Sequence, residues 1–263
     1  MKFDQRVIQA QCSVATSLEC FDTIDSTNTY LLSKARGELQ SGYAVVADQQ
    51  TAGRGRRGRE WISLPGSQLY CSMLWIFPST CSLSGLSLTI GVALVRALER
   101  MGIHGVQLKW PNDLFFNHCK LGGILIESFM DPQGCCRAVI GMGLNLASSD
   151  TLSSSISQSA IALEEITLKK INRDVLLGII LDELLMILPE FQTYGFERFL
   201  QEWLVLDILV SQIVQIETSN GVDVGIAQGV DINGILQVKV NEKIKNYSAG
   251  DVSVHLNGHK SAL

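Results

Sequence analysis

The segment with the clearest chemical character spans positions 53–59, where three glycines are interleaved with four arginines in the order GRGRRGR. Glycine leaves the backbone free to adopt conformations that other residues avoid, and neighbouring guanidinium groups repel one another. A polyanionic ligand would neutralise these charges through charge-assisted, often bidentate, hydrogen bonds. The segment therefore indicates an anion site, although a solvated basic turn would have the same composition.

The glycine spacing of this segment also satisfies the dinucleotide fingerprint G-x-G-x-x-G. That fingerprint requires a helix that begins at the loop and an acidic residue about 20 positions further on for the ribose. Here the segment leads into Trp61 and Pro65, and no Asp or Glu occurs between Glu60 and Glu99. The GK[ST] ending of a Walker A loop is also missing. Both nucleotide motifs are therefore rejected.

The composition limits the remaining classes of protein. A chain of 263 residues, of which 46% are hydrophobic and 18% charged, fits one large domain or one domain with a small appendage. The net charge of -5 gives no reason to expect binding to a nucleic-acid backbone, because such domains usually carry a basic surplus. The arginine segment is thus a local anion site on an acidic protein.

Cysteine usage and hydropathy indicate the compartment. The seven cysteines form no CxxC pair and are odd in number, which argues against a disulfide framework or a zinc site. The N-terminal residues lack the apolar core of a signal peptide. The uncharged stretch between Glu60 and Arg96 is interrupted by Pro65, Gly66 and Pro78, so it predicts buried elements rather than a membrane helix. We therefore expect a cytoplasmic protein without a membrane segment.

Caps and hydrophobic periodicity predict the elements that must position the arginine segment. Cap-type residues at 25–28 predict a helix that Gly37 would end, and a buried strand at 43–47 leads into the segment itself. Pro111-Asn112-Asp113 predicts a turn, and the serine-rich segment 148–159 predicts a surface loop. The other predicted elements are strands at 68–77, 106–109, 123–129 and 138–142, and helices at 86–98, 172–188 (closed by Pro189) and 196–205.

From Ile213 onward the hydrophobic period changes to two, the period of a β-strand. Asn220-Gly221 and Asn233-Gly234 are strong hairpin signals, and Ala249-Gly250-Asp251 predicts a further turn. Several short strands so close together predict a small SH3-like β-barrel. The overall prediction is an α+β chain, with a mixed-sheet domain flanked by helices over residues 1–208 and the barrel over residues 209–263.

Four blocks of the sequence, taken in order, resemble the biotin–protein ligases. They are Asp25-Ser26-Thr27-Asn28; QQTAGRGRRGREW at 49–61; KWPNDL at 109–114 followed by KLGGILIE at 120–127; and GMGLNL at 141–146. The resemblance covers nearly the whole chain and implies the mixed-sheet fold of the biotin and lipoate ligases. Bifunctional members carry an N-terminal DNA-binding domain, and since this chain begins about where the catalytic domain should, we expect no DNA binding.

The resemblance implies two half-reactions, with biotin, ATP and Mg²⁺ as ligands. In the first, the biotin carboxylate attacks the α-phosphate of ATP to give biotinyl-5′-adenylate and pyrophosphate. In the second, a lysine amine of an acceptor attacks this mixed anhydride and forms an amide. The implied acceptor is the biotin carboxyl carrier domain of a biotin-dependent carboxylase. Family members pair through the edge of the central sheet, so a homodimer is one further possibility.

The resemblance also implies roles for particular residues. Arg54 and Arg56 would hold the carboxylate and α-phosphate, Lys120 the acyl-phosphate oxygen, and Asp113 would contact Mg²⁺ or orient the lysine. Mg²⁺ would otherwise be held by the ATP phosphates. Biotin would be bound by Ser26, Thr27, Asn28, Gln50, Gly53, Arg54, Gly55, Arg56, Lys120, Gly123 and Gly143. ATP and the adenylate would be bound by Arg56, Arg57, Trp61, Lys109, Asn112 and Asn145.

Several of these residues also have a purely structural interpretation. Ser26 and Thr27 suit the cap of a helix, and Lys120 suits an exposed strand end. Asp113 suits a turn, and Trp61 suits the packed core. On the functional interpretation, the arginine segment would be open and mobile when empty and would close over the adenylate.

Two other functions remain open from the sequence. A lipoyl or octanoyl ligase or transferase would share the catalytic fold but needs a pocket for a long chain, whereas the arginine segment and the barrel favour biotin. A nucleic-acid-binding regulator could use the same two features as contacts, but the acidic balance and the absence of a helix-turn-helix weigh against it. Such a regulator would show salt-sensitive retention of DNA or RNA.

Overall fold

The computed structural model describes residues 3–14, 16–147, 159–219, 221–250 and 252–256. The strands of its central sheet are β1 (Leu18–Ile24), β2 (Ala44–Gln50), β3 (Gln68–Phe77), β4 (Gln107–Lys109), β5 (Asp113–Phe116), β6 (Cys119–Met130) and β7 (Cys136–Asn145). Their order is β1-β2-β3-β7-β6-β5-β4. β1 and β2 run parallel, and the other neighbours are antiparallel. The predicted mixed sheet is therefore confirmed.

Helices cover both faces of this sheet. They are α1 (Gln5–Gln9), α2 (Thr27–Lys34), α3 (Leu86–Arg100), α4 (Leu163–Thr167), α5 (Arg173–Tyr194) and α6 (Leu200–Leu206). Because side chains alternate between the faces of a strand, Val46 of β2 belongs to the main core with α3 and α5, whereas Val45 packs in a second cluster with Leu31 of α2. Burial on both faces fixes the strand ends that carry the site.

The sequence missed two strands of the central sheet. β1 lies at the sheet edge and is mostly half-buried, so its residues show no clean alternation of polar and apolar types. β5 has four residues, too few for a periodic signal, and it begins at Asp113, the last residue of the predicted turn. The helix predicted at 196–205 is divided into a 3-10 turn at Phe196–Phe199 and α6.

The predicted end of the long helix at Pro189 is wrong, because α5 continues through this residue to Tyr194, with Gly195 as its C-cap. Proline removes one backbone donor and usually kinks or ends a helix. Here Leu188 and Phe191, on either side, are completely buried, and the Phe191 ring lies edge-on to Phe77 with 5.9 Å between centroids. This packing outweighs the lost hydrogen bond.

The C-terminal residues form a second, five-stranded antiparallel sheet. Its strands are β8 (Ile213–Thr218), β9 (Gly221–Val230), β10 (Leu236–Val240), β11 (Lys243–Tyr247) and β12 (Ser253–Leu256), in the order β11-β10-β9-β8-β12. This small all-β unit is consistent with the predicted SH3-like domain. The Asn233-Gly234 turn joins β9 to β10, with a Gly234 φ of 72°. Positions 148–158, 220 and 251, which carry other predicted loops and turns, lie outside the described residues.

The chain passes from the first sheet to the second through a segment bound to β4. Asp207 forms a parallel bridge with Leu108, and Ile208 N donates to Leu108 O at 3.0 Å. Leu209 is completely buried. The domain boundary between residues 208 and 209 stays a prediction, since this segment packs with both parts. Within the described ranges, no helix combines the length and hydropathy needed to cross a membrane, and all seven cysteines are free thiols.

The junction generates a pH-dependent prediction. Burial raises the pKa of Asp207 to about 6, opposed by the hydrogen bond from Leu209 N to Oδ1 at 2.8 Å. A carboxyl group whose pKa is raised by folding contributes its full stabilisation at pH values below its pKa in the unfolded chain, about 3.9. This contribution is lost as the pH rises through its pKa in the folded protein. In urea titrations we expect Asp207→Asn to gain stability relative to the parent between about pH 4 and 7, by on the order of 2 kcal/mol.

Asp223→Asn is a control of opposite sign. Hydrogen bonds from Lys245 and Tyr247 lower the pKa of Asp223. A carboxyl group whose pKa is lowered by folding contributes stability at neutral pH. This contribution is lost as the pH falls through its pKa in the folded protein. This substitution should therefore cost stability at neutral pH and progressively less in acid. A pH-independent difference for Asp207→Asn would contradict the presence of a buried, ionisable carboxylate at the junction.

Candidate active site

The arginine segment folds into a short hairpin that follows β2. Trp61 N donates to Gly53 O at 2.9 Å, and Gly55 N donates to Arg59 O at 2.7 Å. A Cβ atom on Gly53 would lie 2.5 Å from the Trp61 carbonyl oxygen, so a larger residue could not fit without a shift. The tip is a 3-10 turn at Arg56–Gly58. The hairpin therefore fixes the point from which each arginine side chain extends, while its mobility stays a prediction.

Two arginines of the hairpin reach the C-terminal domain. Arg56 donates from Nη1 to Asn112 Oδ1 at 3.0 Å and from Nη2 to Ala249 O. Arg57 donates from Nη1 to Ser253 Oγ at 3.0 Å. The hairpin thus lies between the central sheet and the C-terminal sheet, and Arg56 binds neutral oxygen atoms from both.

Lys120 and Asp113 face each other across strands β6 and β5. Lys120 Nζ lies 2.7 Å from Asp113 Oδ1, and the two side chains are 24% and 18% exposed. Lys120 Nζ also lies 5.4 Å from the centroid of the Trp61 ring. The structure therefore brings the predicted lysine and aspartate together beside the hairpin. Of the two roles predicted for Asp113, this geometry matches the orientation of the lysine.

Two further cations surround Asp113. Burial lowers the pKa of Arg56 and of Lys109, and the negative charge of Asp113 opposes this shift in both cases. Neighbouring cations, including Arg59, lower both pKa values further. Lys109 is 9% exposed, and its Nζ lies 5.3 Å from the centroid of the Phe115 ring. The site concentrates partly desolvated positive charge, which favours the binding of an anion.

The Trp61 indole lies against the two glycines that were predicted to admit biotin. A Cβ atom would lie 3.2 Å from the indole at Gly123 and 3.0 Å from it at Gly143. Both distances are shorter than an ordinary van der Waals contact. Glycine at these two positions therefore lets the tryptophan approach the sheet. Trp61 therefore holds the hairpin against β6 and β7, and its contact with ATP stays a prediction.

Three predicted biotin-binding residues meet at the N-terminus of α2. Ser26 caps the helix, with its Oγ accepting from Thr29 N at 3.4 Å. Thr27 donates to Gln50 Oε1 from its backbone N at 2.8 Å and from Oγ1 at 3.1 Å. All three predicted residues are nearly buried. The structural interpretation of Ser26 as a cap is thus confirmed, and its role toward biotin stays a prediction.

Asn28 is bound to protein groups through both ends of its amide. Its Nδ2 donates to Leu125 O at 3.2 Å and to Glu127 Oε2 at 3.0 Å. Its Oδ1 accepts from Ser72 Oγ at 2.6 Å. The structure therefore gives Asn28 a supporting position in the site, and its direct contact with biotin stays a prediction.

Asn145 has a similar position at the end of β7. Its Nδ2 donates to Lys120 O at 3.3 Å and to Ile161 O at 3.2 Å, and its Oδ1 accepts from Gln68 Nε2 at 3.0 Å. These contacts hold the backbone at Lys120. A role for Asn145 toward ATP stays a prediction, but its amide is engaged in fixing the lysine.

Sequence reasoning assigned no role to three polar residues of the site. Ser72 links Thr27 to Asn28, with its Oγ 2.7 Å from Thr27 Oγ1, and Ser63 Oγ accepts from Gln50 N at 2.9 Å. Glu127 Oε2 lies 2.5 Å from Arg54 Nη2. Their partners lie between 13 and 99 residues away along the chain, so no local pattern could reveal them.

Comparison with known proteins identifies the family of this chain. The model of the biotin/lipoate A/B protein ligase family matches residues 20–145, and that of the biotin protein ligase C terminal domain matches residues 212–254. The bifunctional ligase/repressor BirA of Escherichia coli is 36% identical over 239 residues, which cover 90% of this chain and 74% of that protein. The biotin--[acetyl-CoA-carboxylase] ligase of Mycobacterium tuberculosis is 30% identical over 264 residues, which cover 96% of each chain.

A solved structure supports the same assignment. The biotin protein ligase of Aquifex aeolicus in complex with biotin and ATP superposes with a TM-score of 0.81 and 29% identity, covering 92% of this chain and 100% of that one. The chain belongs to the biotin/lipoate A/B protein ligase family, and within it to the biotin protein ligases.

The contact between Asn28 and β7 can be tested by adding one methyl group. A Cβ atom on Gly141 would lie 2.1 Å from Asn28 Oδ1, closer than real atoms approach. Because the Asn28 amide is held at both ends, Gly141→Ala should destabilise the protein by about 1–3 kcal/mol, as overpacking does in a well-packed core. The free energy of unfolding from urea titration measures this.

Gly37→Ala provides the matched control for this substitution. The nearest atom to a Cβ at Gly37 is Lys34 O at 3.4 Å, an ordinary contact. Its effect should stay within about 0.5 kcal/mol, as for most surface substitutions. Equal effects of the two alanines would show that Asn28 can move freely, which would contradict its fixed position.

Proposed function

We propose that this protein activates biotin with ATP to biotinyl-5′-adenylate and transfers the biotinyl group to a lysine of a biotin carboxyl carrier protein. One observation carries the assignment of residues. The Lys120–Asp113 ion pair lies beside the hairpin that supplies Arg54 and Arg56, in a chain of the biotin protein ligase family. The match over residues 212–254 to the biotin protein ligase C terminal domain favours biotin over lipoate.

In the first half-reaction, a carboxylate oxygen of biotin forms a bond to the α-phosphorus of ATP. The bond from that phosphorus to the oxygen of the β-phosphate breaks, and pyrophosphate leaves. Both reactants are anions, so the main barrier that a protein can lower is their repulsion and misalignment. In this proposal Arg56 and Lys109 stabilise the phosphates, and Lys120, oriented by Asp113, stabilises the acyl-phosphate oxygen. The Lys120–Asp113 ion pair and the burial of Lys109 support these roles.

In the second half-reaction, the amine of the acceptor lysine adds to the acyl carbon of the adenylate. The acyl–oxygen bond breaks, AMP leaves, and the amine gives up a proton as the amide forms. This route needs no enzyme nucleophile. A hairpin that covers the adenylate would exclude water and protect it from hydrolysis. The hydrogen bond from Arg56 to Ala249 O supports a role for the C-terminal domain in holding the hairpin over the adenylate.

The ureido ring of biotin would lie near Ser26, Thr27 and Gln50. Thr27 fixes the Gln50 carbonyl, and Gln50 Nε2 is directed toward the hairpin, 3.2 Å from where a Cβ atom of Gly53 would lie. A neutral ring rich in donors and acceptors suits a largely apolar pocket with a few fixed polar groups.

Mg²⁺ enters this proposal as a companion of the ATP phosphates. The described residues contain no group of three or more His, Cys, Asp or Glu side chains that could hold a metal ion, and Asp113 is engaged by Lys120. The described residues therefore do not form a metal site of their own. A homodimer, a cytoplasmic location and the lack of DNA binding remain predictions from the sequence.

The roles of Arg56 and Lys120 can be tested by biotin-dependent exchange of pyrophosphate into ATP. Each alanine variant, Arg56→Ala and Lys120→Ala, should lower the exchange rate on the order of 10²-fold or more, because each removes a preorganised charge from the reacting groups. Arg198→Ala is the control, since this arginine is 57% exposed and pairs with Glu190 at a longer 3.5 Å. Near-parental rates for both site variants would reject the assignment.

Substrate choice is tested in the same assay. Biotin should support exchange, and lipoate or octanoate at equal concentration should not, because the polar groups at Ser26, Thr27 and Gln50 match a ureido ring. Incubation with a biotin carboxyl carrier domain should then add the mass of one biotinyl group. Exchange with lipoate alone would favour the alternative ligase.

A further inference from the structure

The carboxylate of Glu127 joins the hairpin to the N-terminus of α2. Its Oε2 lies 2.5 Å from Arg54 Nη2 and accepts from Asn28 Nδ2 at 3.0 Å. The side chains of Arg54 and Glu127 are 42% and 28% exposed, so the pair lies at the margin of the site. One oxygen atom is thus shared by an arginine of the hairpin and by a residue of the first sequence block.

The position of this oxygen atom is set by buried structure. Asn28 is 4% exposed, and its amide also binds Leu125 O and Ser72 Oγ. Because Gly141 of β7 has no side chain, Asn28 can approach this strand closely: a Cβ atom at position 141 would lie 2.1 Å from Asn28 Oδ1. Glu127 belongs to β6, which pairs with β7 from Gly122 to Met130. Arg54, which extends from a surface hairpin, is therefore held by a group anchored in the central sheet.

Arg54 and Arg56 differ in the charge of the groups that they contact. Arg56 donates to two neutral oxygen atoms, from Asn112 and Ala249. Arg54 instead contacts a carboxylate, which offsets its charge. An exposed ion pair of this kind adds little to stability, but it restricts the guanidinium to one direction. The orientation of Arg54 is thus the main consequence of the pair.

We propose that Glu127 is a positioning residue, which holds the Arg54 guanidinium in the orientation needed to receive the biotin carboxylate and its adenylate. This inference rests on the proposed function. Glu127 acts through Arg54, and its negative charge is the property that matters. The ligand carboxylate or phosphate binds the remaining donors of a guanidinium that is already aligned, so less ordering accompanies the reaction.

The test uses biotin-dependent exchange of pyrophosphate into ATP with the full chain. Glu127→Gln keeps the size of the side chain and an oxygen for Asn28 but removes the charge. We expect kcat for exchange to fall roughly tenfold or more, as misalignment of a reacting group does, with the KM for ATP little changed. Glu127→Asp, which keeps the charge on a shorter side chain, should lie between the parent and the Gln variant.

A double-mutant comparison shows whether the effect passes through Arg54. In an Arg54→Ala background, Glu127→Gln should cause no further loss. Glu202→Gln, which removes the carboxylate from a comparably exposed pair with Arg96, is the control and should leave exchange unchanged. If Glu127→Gln lowered the thermal unfolding midpoint too far for assay, Glu127→Asp with and without Arg54→Ala would carry the same comparison.

The outcomes separate this inference from the proposed function. Absence of exchange in the parent protein would reject the function itself. Exchange in the parent with an unaffected Glu127→Gln variant would overturn the role of Glu127 alone. Equal losses in the presence and absence of Arg54 would also overturn it, because Glu127 would then act by another route.

Discussion

Mutual repulsion of cations is the constraint on which the site depends. Two unit charges about 4 Å apart interact by about 4 kcal/mol near a protein surface, a large fraction of the stability of a typical domain. The structure meets this constraint in two ways. Arg54 and Lys120 each have a carboxylate partner, whereas Arg56 donates to neutral oxygen atoms between the two sheets. Positive charge can therefore be concentrated without a ligand to balance it.

The central sheet supplies the fixed points for this balance. Lys120 and Asp113 lie on adjacent strands, so their separation follows from sheet pairing and not from the hairpin. Trp61 brings the hairpin to the same strands because glycine at positions 123 and 143 leaves room for the indole. The hairpin is thus attached to the central sheet through the Trp61 indole, the Arg54–Glu127 pair and the Arg56–Asn112 hydrogen bond.

Sequence reasoning was most successful where one local pattern carried the information. The strand at 68–77 follows from a continuous aromatic and apolar run, the start of α3 from helical periodicity, and the cap at Ser26 from residue type. It failed where long-range packing decided the outcome, as at Pro189, where the buried Phe191 keeps the helix intact. The roles of Asn28 and Glu127 were hidden for the same reason, since their partners come from distant strands.

The two carboxylates of the site have unequal influence. Asp113 pairs with Lys120 and also opposes the effect of burial on the pKa of both Arg56 and Lys109, so its charge acts on three cations. Glu127 contacts Arg54 and the neutral Asn28 amide. Loss of Asp113 would remove the negative charge that opposes the effect of burial on Arg56 and Lys109 and would leave Lys120 without its carboxylate partner. Loss of Glu127 leaves those cations in place and changes the direction of a single guanidinium. A carboxylate at the centre of the cluster therefore sustains the charge of the site, and one at its margin sets its geometry.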